Sequence, residues 1–92
     1  MTTIYHGPKD LAESLQALED LALPADLQNQ LSDVLRALDG AQDVAKVNHY
    51  LDVAGGLAAG LRMTDGESVE RAKRVNAIFE AQASHVRREL MN

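Results

Sequence analysis

A chain of 92 residues with 46% hydrophobic and 25% charged side chains and a net charge of −5 fits one compact domain with a thin core, and no stretch has the polar, low-complexity composition of disorder. The absence of cysteine excludes disulfide scaffolds and thiolate zinc sites, so a reducing compartment is the expected home. No basic region followed by an apolar run opens the chain, and the longest weakly polar stretch, Val53 to Leu61, is too short to span a bilayer, so a cytoplasmic protein without membrane contact is expected.

Residues 1–7 read as an N-terminal arm. Thr2, Thr3, Ile4 and Tyr5 have strand character but no second strand to pair with, so no secondary structure is assigned to them. Residues 8–92 read as one helical domain. Helix one is predicted from Pro8 to about Ala22, with Pro8 at the first helical position and Asp10 set against the helix dipole. Leu11, Leu15, Leu18 and Ala22 give it a single buried stripe.

Leu23-Pro24 breaks that pattern, because the residue before a proline is pushed out of the α region, and Pro24 begins helix two. Leu27, Leu31, Val34, Leu35 and Leu38 form its apolar face, and Asp39-Gly40 is the expected stop, with Gly40 in the left-handed conformation. Helix three is predicted over about Ala41 to Arg62. It carries Val44, Val47, Leu51, Ala54, Ala58 and Leu61 on one stripe, with further apolar residues around the cylinder, and on composition it belongs in the middle of the bundle. Gly55, Gly56 and Gly60 each cost about 1 kcal/mol relative to alanine in a helix, so a neighbouring backbone packed closely against them is expected.

Thr64-Asp65-Gly66-Glu67 matches a capping box, and helix four is predicted from there to about Leu90. Val69, Ala72, Asn76, Phe79, Ala83, Val86 and Leu90 alternate strictly by three and four, the most regular pattern in the chain. With short connections, these segments predict an all-α fold, a small antiparallel bundle of about four helices with a long C-terminal helix.

Asn76 stands at a core position of the helix-four stripe, where a buried amide needs a partner. An Asn facing its own copy supplies one, so Asn76, Phe79, Ala83 and Val86 are read as a homodimer contact; the alternative is an Asn at the edge of an intramolecular seam. On the opposite face Arg71, Arg74, Ile78, Ala81, His85 and Arg88 make a basic stripe around a small apolar centre. Arg71, Arg74, Ile78, His85 and Arg88 are the candidate partner-binding residues, against the plainer reading of a solvated face paired through Glu67–Arg71 and Glu70–Arg74.

His49 with Asp52 and His85 with Glu89 have the spacing of paired metal ligands, but both pairs face away from the stripes of their helices, so no metal site is expected. The chain lacks a Ser-His-Asp or Cys-His arrangement and a glycine-rich phosphate loop after a strand; no catalytic activity and no cofactor are expected.

Charge is unevenly placed. Residues 1–61 hold three basic and nine acidic side chains, residues 62–92 six and five. The expected function is that of a non-catalytic protein-binding module: a small acidic helical adaptor, chaperone or inhibitor, bacterial or phage in format, that forms a homodimer and occupies a partner protein's surface. In an inhibitor, the front-half carboxylates would mimic phosphates. The alternative is a nucleic-acid-associated regulator that uses the basic face of helix four.

Overall fold

The computed structural model describes residues 11–60 and 66–91, and these form four helices without a strand: α1 (Leu11–Glu19), α2 (Ala25–Asp39), α3 (Val44–Ala59) and α4 (Gly66–Met91). The N-terminal arm, the Pro8 start of helix one, the final residues expected for helix three and the capping box that opens at Thr64 lie outside the described residues.

The boundaries follow from local chemistry. α1 ends at Glu19 rather than Ala22 because the amides of Leu21 and Ala22 turn to carbonyls three residues back, at 3.2 and 3.1 Å, which tightens the last turn. Ala22 then takes the left-handed conformation, φ 55°, that closes a helix, a place glycine fills without steric cost. Leu23-Pro24 follows, and the Pro24 carbonyl accepts the first bond of α2 from the Gln28 amide at 2.8 Å.

α2 stops at Asp39 as the sequence predicts, but not by the expected route. Gly40 has φ −91° and ψ 4°, outside the left-handed region, and its amide donates to the Arg36 carbonyl at 3.2 Å. α3 begins three residues later than the apolar pattern implied. The cause is Asp43, whose extended backbone and carboxylate cap the helix by accepting from the Lys46 amide at 2.8 Å.

α2 and α4 each pack against all three other helices, whereas α1 and α3 do not meet among the described residues. That corrects the central place expected for helix three. Only Val47, Ala54 and Ala58 of α3 are buried, and its Ala45, His49, Asp52, Gly56 and Ala59 are exposed. Apolar composition placed it wrongly because Ala and Gly bury little area and gain little from the interior.

The core is a set of aliphatic side chains around Phe79. Leu18 enters from α1, Leu31, Leu35 and Leu38 from α2, and Ala72, Val75, Ile78, Ala83 and Val86 from α4. The molecule measures 44 × 29 × 18 Å. Its shortest dimension is that of two helix layers, each about 10 Å across, and its longest matches α4, whose 26 residues span about 39 Å. No helix of the described residues is long and apolar enough to cross a membrane.

Candidate functional site

The packing of three helices on α4 decides which of its residues point inward. Its buried residues, from Val69 onward, are Ala72, Val75, Ile78, Phe79, Gln82, Ala83 and Val86, an arc wider than a two-helix seam. Asn76 therefore lies on the flank, half buried, and the polar residue in the core is Gln82, which is fully buried.

Gln82 is held from both ends. Ser14 Oγ of α1, itself fully buried, donates to Gln82 Oε1 at 2.7 Å, and Gln82 Nε2 donates to Asp39 Oδ1 at the end of α2 at 2.8 Å. The amide thus satisfies its oxygen and one N–H inside the core and ties α1, α2 and α4 together. It also fixes the direction of the Asp39 carboxylate. On the other side of α4, Arg87 Nη2 donates to Asn48 Oδ1 of α3 at 2.7 Å, which sets the start of α3 beside the end of α4.

Asp39 opens onto a cleft of about 380 Å³ between the α2–α3 turn and the last turns of α4, lined by Asp39, Ala41, His85, Val86, Glu89 and Leu90. Ala41, Val86 and Leu90 give it an aliphatic part, and the polar side chains among its lining residues are two carboxylates and one imidazole. Among the described residues, the large hydrophobic side chains that remain exposed are Val44 at 41%, Leu90 at 36% and Met91 at 79%. Leu90 lines the cleft and Met91 follows it. Val44 lies one turn before Asn48 on α3 and is not part of the cleft lining.

The residues singled out from sequence divide accordingly. Arg74 and Arg88 are exposed and Arg71 is half buried, while His85 is half buried in the cleft. Ile78, expected at the centre of the outward basic stripe, is only 9% exposed and belongs to the core, so that stripe has no large apolar centre. Phe79, Ala83 and Val86, read as a dimer contact with Asn76, are covered by helices of their own chain.

Glycines 55, 56 and 60 do not mark the close helix packing that their cost implied. A Cβ built at Gly55, Gly56 or Gly60 meets no atom within 4 Å. The Glu70–Arg74 pair is not formed, whereas Arg36 and Asp33 pair at 3.5 Å on the surface of α2. His85, Asp39 and Glu89 share the cleft without forming a metal-ligand set, and no group of three or more such side chains able to hold a metal occurs among the described residues.

Sequence reasoning missed Ser14, Gln82 and the Asp39 end of the relay. The signal was present: Ser14 lies three residues after Leu11 and four before Leu18, and Gln82 three after Phe79 and four before Val86. Both are polar residues inside an apolar stripe, the same signature that drew attention to Asn76. No family model, curated protein or solved structure matches the chain.

Proposed function

We propose that the chain is a non-catalytic protein-interaction module, a small helical adaptor, chaperone or inhibitor, and that it binds through the end of the bundle where the α2–α3 turn meets the last turns of α4. The observation that carries this reading is the exposed Leu90 in the lining of a cleft that also holds the carboxylates of Asp39 and Glu89, with the exposed Met91 next to it in the chain. Exposed apolar side chains scattered singly are ordinary, but one that lines a concave, partly charged surface can anchor a protein contact. The Gln82 bond supports it further, because a carboxylate held in one direction loses less freedom when it meets a partner.

The short connections favour neighbouring helices running antiparallel, and the lack of cysteine suits the cytoplasm as the place of action. The test is affinity capture with the intact chain and with a Val44→Glu/Leu90→Glu variant. Both positions are exposed, so the variant should keep its fold. A protein retained by the first and lost by the second supports the reading, and an identical set retained by both refutes it.

A second reading, a nucleic-acid-associated regulator, draws on Arg74 and Arg88, exposed on α4 without an ion pair among the described residues. A gel shift at low salt that falls away in Arg74→Ala would favour it, and no shift at low salt removes it.

A further inference from the structure

The inward side of α4 runs past the helix that covers it. Gln82 meets Asp39, the last residue of α2, and α4 continues for nine residues beyond Gln82, about 14 Å of helix. Val86 and Leu90 follow Gln82 at steps of four, on the same side of the helix, yet Val86 is buried and Leu90 is exposed. The cleft is this uncovered turn, with Ala41 of the α2–α3 turn on its far side.

An occupant of this turn has to suit two kinds of surface. Ala41, Val86 and Leu90 offer aliphatic contact, while Asp39 and Glu89 bring negative charge, and no lysine or arginine is among the lining residues. The cations closest to these carboxylates in sequence are turned elsewhere: Arg36 pairs with Asp33, Arg87 donates to Asn48, and Arg88 points about 160° from Leu90 around the helix. Asp39 Oδ1 accepts from the buried Gln82 amide, which holds the carboxylate in one direction and leaves Oδ2 able to accept from a group in the cleft. A purely apolar occupant would cover both carboxylates unpaired, and an acidic one would set like charges together. A long cationic side chain satisfies both surfaces, because its methylene stem packs on aliphatic groups while its head reaches the carboxylates. Resting on the binding reading above, we propose that the cleft receives a lysine or arginine side chain of the partner protein, with its stem along Val86 and Leu90 and its charged head at Asp39 and Glu89. A neutral His85 imidazole adds a further acceptor to the same cleft.

The experiment is an NMR titration of the whole chain, following backbone amide shifts at low salt, with the N-acetyl methylamides of lysine, arginine, norleucine and glutamate as probes. The variant is Asp39→Asn/Glu89→Gln, which removes both charges but keeps the acceptor for Gln82; both residues are exposed, so helix content should be unchanged. The lysine and arginine probes should give saturable shifts centred on Ala41, Val86, Glu89 and Leu90, with dissociation constants on the order of 1–10 mM. Norleucine, which has the stem without the charge, should bind the wild type at least about fivefold more weakly, and the cations should lose a similar factor on the variant. The stronger of the two cations identifies the side chain. Shifts that do not saturate by about 50 mM, norleucine or glutamate binding as well as the cations, or an unaffected variant would overturn the proposal. If the cations fail while Val44→Glu/Leu90→Glu still loses a captured protein, the occupant has a different chemistry and the binding reading stands.

Discussion

Replacing Gln82 by methionine perturbs the core at its buried polar pair, Gln82 and Ser14. The side chain keeps its length but loses the hydrogen bond accepted from Ser14 at 2.7 Å and the one donated to Asp39 at 2.8 Å. Ser14 is fully buried, so its orphaned hydroxyl costs about 1–3 kcal/mol, whereas Asp39 is exposed and turns to water at little cost. Ser14→Ala alone leaves Gln82 Oε1 buried without a donor and costs a similar amount, about 1–3 kcal/mol. Removing both ends together leaves nothing unsatisfied between them, so the double variant should lose less than the two single losses combined, by about 1–3 kcal/mol. Urea unfolding of the four proteins measures this coupling, and in a domain of this size each kcal/mol should also move Tm by about 4–8 °C. Additive losses, or single losses under about 0.5 kcal/mol, would refute a satisfied buried relay.

Three smaller changes test the helix boundaries and the open face of α3. Gly56→Ala should stabilise the fold by about 1 kcal/mol, because the glycine is exposed within a helix and an added Cβ meets nothing within 4 Å; a lower Tm would show a neighbour that the structure lacks. Asp43→Ala should cost about 1 kcal/mol through loss of the cap on the Lys46 amide, seen as a lower urea midpoint with an unchanged m value, and Asp43→Asn should recover most of it. Ala22→Gly should raise the urea midpoint, since a left-handed alanine stores about 1–2 kcal/mol of strain that exceeds the entropy glycine adds to the unfolded chain; a lower midpoint contradicts the φ of 55°.

Much of the architecture is legible in the sequence where punctuation and periodicity agree. Pro24 starts α2, the Asp39-Gly40 pair stops it, and Leu31, Leu35 and Leu38 are buried as their spacing predicts. What periodicity does not fix is rotation. Ala72, Phe79 and Val86 are common to two stripes on α4, one passing through Asn76 and the other through Val75 and Gln82, and only the arrangement of the three covering helices selects the second. That choice carried Ile78 inward and removed the apolar centre of the basic stripe. Depth is equally hard to read when the apolar residues are small: α3 looks central by composition, yet its Gly56 and Ala59 face water because burying them gains little. The cleft depends on residues far apart in the chain, Asp39 and His85, which no local pattern links.

The central claim, that the end of the bundle around Leu90 is the binding surface, is tested most directly by site-specific photo-crosslinking. A photoreactive residue is placed at Leu90 and, as a control, at the exposed Gln30 of α2, and each protein is irradiated in an extract of its native host. A discrete adduct from position 90 that is absent from position 30 is the expected result, and its mass separates a second copy of the chain from a different protein. Adducts from position 30 alone, or identical patterns from both, would contradict it.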